Sequence, residues 1–160
     1  SEEIMKRRTF LAKSAAGAGG VAAAATIGAP AIAQERREMV IVSSWGRDFP
    51  GLGVSAQRLA ERITVMSGGR INTQYFAAGE RVGAFDVFDA AASGNAQAYI
   101  SADYYWKGKH PGFGFFTSVP FGLTYAEMSA WIFQLGGQQL WDELAGGFGI
   151  KCLPCGNTGV

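Results

Sequence analysis

Two cysteines near the end of the sequence, in Lys151-Cys152-Leu153-Pro154-Cys155, have the spacing of a dithiol centre or of half a zinc site. A dithiol enzyme needs its first cysteine at the start of a helix, where the macrodipole and free N–H groups favour the thiolate. Here Phe148 to Pro154 reads as a strand, and Gly156-Asn157-Thr158-Gly159 starts no helix. A zinc ribbon needs a second pair, and the chain has only two cysteines. The simpler reading is two small side chains that line something else. A thiol–disulfide oxidoreductase built on Cys152 and Cys155 stands as the alternative, and the spacing leaves open whether the two join in a disulfide.

Other catalytic arrangements find less support. His110 is the only histidine and sits in Lys109-His110-Pro111-Gly112, a turn sequence that predicts an exposed loop residue. Asp86, Asp89, Asp103, Asp142 and Glu143 are scattered over expected helix surfaces and loops, without metal-ligand spacing. Gly51-x-Gly53 lacks the third glycine of a dinucleotide fingerprint. The formal net charge of +1 gives no reason to expect nucleic acid. The richer signal is aromatic. Tyr104, Tyr105 and Trp106 follow an expected strand end, where flat amphipathic side chains can wall a small-ligand cleft and hydrogen-bond its occupant. Phe113, Phe115, Phe116 and Phe121 are expected to cover the sheet.

The elements that must position these residues follow from hydrophobic period. Glu38–Trp45 opens with an apolar run that reads as a buried strand, and Gly46–Gly51 as a loop. From Leu52 the apolar positions Leu52, Ala56, Leu59, Ala60, Ile63 and Met66 have helical spacing, and Ser67-Gly68-Gly69 ends the helix. Arg70–Phe76 alternates as a second strand. Gly83–Gly94 reads as a helix with Phe85, Phe88 and Ala92 on one face, and Asn95–Ala102 as a third strand. Asp103 to Thr124 is expected to be a long aromatic loop. Helices follow over Tyr125–Leu135 and Gln138–Leu144, and Phe148–Pro154 closes as a fourth strand. This β-α-β-α-β order predicts an α/β fold, a mostly parallel sheet with flanking helices, whose ligands sit beyond the carboxyl ends of the strands.

Residues 5–33 carry the pattern of an export signal. Lys6-Arg7-Arg8-Thr9-Phe10-Leu11 is a twin-arginine-type start, a mildly apolar Ala/Gly stretch follows, and Ala31-Ile32-Ala33 is a small-x-small cleavage site. Residues 1–4 precede the probable start Met5 as an upstream extension or remnant. Cleavage after Ala33 leaves 34–160 as a soluble, periplasmic product delivered by the twin-arginine export machinery.

Several segments together resemble the extracytoplasmic solute-binding proteins of TRAP transporters (tripartite ATP-independent periplasmic transporters). They are Ser43-Ser44-Trp45, Ser67–Ile71, Phe76–Glu80, Tyr104–Thr124 and Gly156–Val160. The aromatic run, Lys107-Gly108-Lys109, and Val119-Pro120-Phe121-Gly122-Leu123 resemble the branch that binds 2-oxo acids and related organic acids. The resemblance implies a two-lobe periplasmic-binding-protein-like fold closing over a small carboxylate. Two TRAP membrane subunits receive the ligand, and no catalysis is implied. Residues 34–160 would be the N-terminal lobe. The carboxylate-gripping arginine, and any cation-binding acids, would lie beyond Val160, so no cofactor is assigned within this chain. By position, Trp45, Tyr104, Tyr105 and Asn157 would face the cleft, and the cysteines occupy positions where the family usually has small residues. A sensor-type ligand-binding domain is the remaining alternative.

Overall fold

The computed structural model describes residues 36–117 and 119–156. The export signal at 5–33 and Asn157 therefore lie outside the described residues. Three parallel strands form one sheet: β1 (Arg37–Ser43), β2 (Ile71–Phe76) and β3 (Ala98–Ile100), in the order β2-β1-β3. β1 pairs with β2 from Arg37↔Ile71 to Val42↔Phe76, and with β3 from Ile41↔Ala98 to Ser43↔Ile100. α1 (Leu52–Met66) joins β1 to β2, and α2 (Val87–Ala92) lies between β2 and β3. Two 3₁₀ turns follow, Asp103–Trp106 and Pro111–Phe116, and then α3 (Tyr125–Gln134) and α4 (Gly137–Gly146). No helix among the described residues is long and apolar enough to cross a membrane.

β1 is covered on both faces from Met39 to Val42, which is why that run is apolar rather than alternating, while Arg37 and Glu38 at its start are exposed. Ile41 and Met39 face α1 and pack with Ala56, Ala60 and Ile100. Val42 and Val40 face the opposite cluster of Val87, Phe88, Trp106, Phe113, Ile132 and Trp141. Burying Ile41 and Val42 stabilises the fold by about 1.5–3 kcal/mol each. α1 presents Gly53, Ala56 and Ala60 to the sheet, a stripe of small residues that brings the helix close. Leu59 and Met66, expected on the same face, lie at the margin of that stripe and are exposed. Gly68 and Gly69 end the helix with positive φ, as expected.

The structure departs from expectation in three places. Phe148–Pro154 is not a fourth strand: past Ile150 the backbone is irregular, and the Cys152 carbonyl accepts from the Gln138 side chain at 2.9 Å rather than from a neighbouring strand. The second helix is shorter than predicted, so Phe85 stands in the turn before it and, like Ala92, is exposed. The aromatic loop contains the two 3₁₀ turns, which bury Phe113 and Phe116 but leave Phe115 and Phe121 exposed. Phe116 stacks on Trp141 with centroids 5.3 Å apart, joining the second turn to α4. Phe121 cannot cover the sheet, because a turn closed by Gly122 N–H to the Val119 carbonyl at 2.9 Å holds its backbone at φ 59°.

The approach of α1 to the loop after β1 leaves no room at Gly53. A Cβ there would lie 2.4 Å from the Gly46 carbonyl oxygen and 3.1 Å from Phe49 Cβ. Gly53→Ala is expected to lower stability by about 1–3 kcal/mol, as overpacked sites do. A denaturation midpoint equal to that of the native protein would show that the 46–49 loop yields freely.

Candidate functional site

In a 2-1-3 parallel sheet the chain leaves β1 for one neighbour and returns to the other side of β1. In parallel sheets such a reversal is where ligand crevices form, and here it falls at the carboxyl ends of β1 and β3. The residues at this point are Ser43-Ser44-Trp45 and Ser101-Ala102-Asp103. A polar tie holds the two ends together. Ser44 Oγ lies 2.7 Å from Ser101 Oγ and donates to the Ala84 carbonyl at 2.7 Å, while Ser44 N–H donates to the Ile100 carbonyl at 3.1 Å. A hydroxyl is needed here because it both donates and accepts.

The neighbouring β2 exit is fixed by a second set of bonds. The Ala78 N–H donates to the Trp45 carbonyl at 3.0 Å. Arg47 makes a two-pronged contact with Glu80, Nε to Oε1 at 2.8 Å and Nη2 to Oε2 at 2.5 Å, and its guanidinium lies over the Tyr75 ring. Glu80 also accepts the Ala77 N–H at 2.9 Å. Arg47, then Ala77, hold the Glu80 carboxyl down at about 2, so this clamp is ionised at any physiological pH.

The sequence-predicted aromatic residues gather at this edge in two groups. Tyr104 and Tyr105 touch, with ring centroids 4.5 Å apart, and Phe85 meets Tyr105 edge-on at 5.2 Å. Tyr104 is exposed and Tyr105 half-buried against the larger core cluster. The Tyr105 hydroxyl, followed by burial, raises the pKa of Tyr104, so the Tyr104 hydroxyl is a neutral donor and acceptor. Trp45 follows the same sheet edge, but its ring packs with the α1-side cluster of Ile41, Ala56, Ala60 and Ile100. Among the described residues, no ring contact joins Trp45 to the tyrosines.

The 3₁₀ period of three explains why the tyrosines face outward. Residues 103 and 106 share a face, and both are buried. Trp106 belongs in a core, but Asp103 is a carboxylate that is only 5% exposed. The Trp141 indole N–H of α4 donates to Asp103 Oδ2 at 2.5 Å, and the Cys152 thiol lies 3.9 Å from the same oxygen. Tyr99 of β3 faces the same group. Burial pushes the Asp103 carboxyl up to about 6, against the opposing pull of Trp141 and Cys152. Sequence reading placed Asp103 among the surface acids. The signal that could have found it is its i,i+3 relation to Trp106 directly after a strand.

Residues 44–160 match the family described as bacterial extracellular solute-binding protein, family 7. The chain belongs to this family, the TRAP solute-binding proteins. It is 35% identical over 120 residues to the monocarboxylate 2-oxoacid-binding periplasmic protein of Nostoc sp., which covers 75% of this chain and 33% of that protein. The TRAP periplasmic solute-binding protein of Pseudoalteromonas atlantica T6c, solved with bound sodium and pyruvate, is 38% identical with a TM-score of 0.76. That match covers 78% of this chain and 38% of the solved one. The corresponding protein of Colwellia psychrerythraea, with bound calcium and pyruvate, is 34% identical with a TM-score of 0.72 and covers 74% and 36%. The chain thus spans about a third of the length of the curated relative it matches.

Within this family setting the cysteines are poor nucleophiles. Cys152 is buried and Cys155 exposed, and both are free thiols. Burial, followed by the charge of Asp103, pushes the Cys152 thiol up to about 12, the opposite of what a reactive dithiol needs. The thiol–disulfide alternative is not favoured. His110 is exposed and its Nδ1 accepts the Gly112 N–H at 3.1 Å, capping the second 3₁₀ turn. Among the described residues, no three His, Cys, Asp or Glu side chains cluster as metal ligands.

The raised Asp103 pKa sets a sign for stability. The folded carboxyl holds its proton more tightly than the unfolded one, whose ordinary value is 3.8. This group's contribution is therefore fully present below about 4 and is lost as pH rises to about 6, then stays flat. Asp103→Asn should remove that fall, so the variant gains melting temperature relative to the native protein at pH 7.5 but not at pH 4.5. An equal difference at both pH values would show that Asp103 ionises without a burial penalty.

Proposed function

We propose that residues 34–160 form the N-terminal lobe of a periplasmic TRAP solute-binding protein that captures a small 2-oxo acid such as pyruvate. The residues at 5–33 serve in this reading as a twin-arginine-type export signal cleaved after Ala33, and the partners are the TRAP membrane subunits. The protein binds and delivers its ligand without chemical conversion. The observation that carries the reading is the carboxyl edge of β1 and β3, where Ser44 bridges to Ser101 and the turn that follows β3 carries the touching rings of Tyr104 and Tyr105. Its support comes from relatives whose described ligands are 2-oxo acids or pyruvate.

The chemistry suits that ligand class. A 2-oxo acid is flat, small and rich in acceptor oxygens. Neutral tyrosine hydroxyls can donate to its carbonyl while their rings exclude water from one side. Arg47, at the β2 exit, is committed to Glu80. The charge that balances the ligand carboxylate would come from beyond Val160, where a planar arginine fork is suited to it. Asn157, expected at the cleft, offers both donor and acceptor groups from its amide.

Thermal-shift and calorimetric titration of the full-length protein against pyruvate, 2-oxobutyrate, lactate and C4-dicarboxylates tests the proposal. A 2-oxo acid at 100 times its Kd should add about 2.7 kcal/mol of stability and raise the melting temperature accordingly. Tyr105→Ala should weaken binding about tenfold, or about 1.4 kcal/mol. If no organic acid raises the melting temperature, the assignment fails. Insulin reduction that vanishes in Cys152→Ser would replace it with the dithiol reading.

A further inference from the structure

We infer that Ser44 is a positioning residue for the aromatic edge: a one-way relay of hydroxyls, from Ser101 to Ser44 to the Ala84 carbonyl, seats the turn that carries Phe85 against Tyr105. The inference rests on the ligand-binding reading above and adds to it a residue that acts through others.

The order of protons in the relay follows from counting. The Ala84 carbonyl can only accept, so the single hydroxyl proton of Ser44 goes to it across 2.7 Å. Ser44 Oγ also lies 2.7 Å from Ser101 Oγ, and with its own proton committed it must accept there. Ser101 is therefore the donor, and its proton is spent as well. Neither hydroxyl keeps a proton for the oxygens of a 2-oxo acid, and ionised pyruvate has only acceptors to offer. The serine pair serves the edge by holding it together rather than by donating to the ligand.

The relay reaches the tyrosines through a third segment. The parallel register Ser43↔Ile100 sets residues 44 and 101 side by side just past the ladder. Ala84 belongs to neither strand. It stands in the turn before α2, which the Asp86 N–H closes on the Gly83 carbonyl at 3.0 Å. The bond from Ser44 fixes that turn against the strand ends. The next residue is Phe85, whose side chain is left 65% exposed, so burial in the core does not hold it. Its ring nonetheless meets Tyr105 edge-on with centroids 5.2 Å apart, and Tyr105 touches Tyr104 at 4.5 Å. Tyr105 follows Ser101 in the same exit segment, so the contacts close a ring: Ser101, Ser44, Ala84 with Phe85, Tyr105, and back along the chain. In a closed ring of short contacts, one member cannot move without its neighbours.

The two serines are unequal in this arrangement. Replacing Ser101 by alanine removes one bond and leaves Ser44 donating to Ala84. Replacing Ser44 by alanine removes both, and it releases the turn from the strand ends. A threonine at position 44 keeps the hydroxyl that both donates and accepts. The effect on binding should therefore follow Ser44 and pass through Phe85.

The test is a double-variant cycle read by calorimetric titration of the full-length protein with pyruvate. Ser44→Ala and Phe85→Leu should each weaken binding about fivefold, the scale of one lost orienting contact. Both act through the Phe85–Tyr105 contact, so the double variant should also lose about fivefold rather than the roughly 25-fold of independent sites. Ser101→Ala and Ser44→Thr should stay within about twofold of the native protein. Phe85 lies on the surface, so Phe85→Leu keeps the fold, and native affinity in that variant overturns the inference whether or not Ser44→Ala folds. Losses that multiply in the double variant, or a Ser101→Ala or Ser44→Thr protein as weak as Ser44→Ala, overturn it too and leave the ligand assignment standing. Absence of binding by the native protein to any of the organic acids above removes the ligand assignment and this positioning role together.

Discussion

The rest of the structure depends on β1 being paired along both edges and covered on both faces. A strand in that position has no free side for water, so its covered residues must be apolar on both faces and its polar groups must be satisfied by neighbours. Ile41 and Val42 meet the first demand, each 1% exposed. The ladders to β2 and β3 meet the second until Ser43. There the ladder runs out at the carboxyl end, and side chains take over. Ser43 Oγ accepts the Trp45 N–H, and Ser44 bridges to Ser101 and Ala84. Where the central strand runs out of backbone partners, serine hydroxyls supply the polar groups instead.

The same edge shows two ways of keeping a carboxylate. Glu80 sits in water, faces Arg47 and the Ala77 N–H, and is ionised throughout. Asp103 sits in the core with an indole and a thiol and is held near its protonation midpoint at mild acidity. The first arrangement is a rigid brace whose exposed position limits its net worth in stability. The second is costly to maintain, and it connects three segments far apart in sequence. Position in the fold, rather than residue type, separates a clamp from a sensitive joint.

Much of the scaffold was legible because it rests on local periodicity. The apolar run of β1, the spacing of Ala56, Ala60 and Ile63, and the glycine pair after α1 are short-range signals. The edge positions of Trp45, Tyr104 and Tyr105 were legible too, since they follow strand ends in a parallel-sheet pattern. What escaped was decided by tertiary packing. Phe148–Pro154 has strand-like composition, yet a side chain of α4 takes the carbonyl that a ladder would have used. Asp103 resembles any loop acid until the 3₁₀ turn places it beside Trp106. The serine bridge cannot be read from two isolated serines, because it exists only once β3 has docked against β1.

That bridge has a kinetic meaning. Ser44 and Ser101 are 57 residues apart, and β3 contributes only three residues of ladder. β1 can zip with β2 first, across the shorter loop that α1 closes, because closing a smaller loop sacrifices less chain entropy. β3 then adds to the free edge of β1, and its arrival brings Ser101, Asp103 and the tyrosines with it. On that order the carboxyl edge of β3 would be the last part of the sheet to be completed, and the serine bridge would close only on a chain that had settled every earlier pairing.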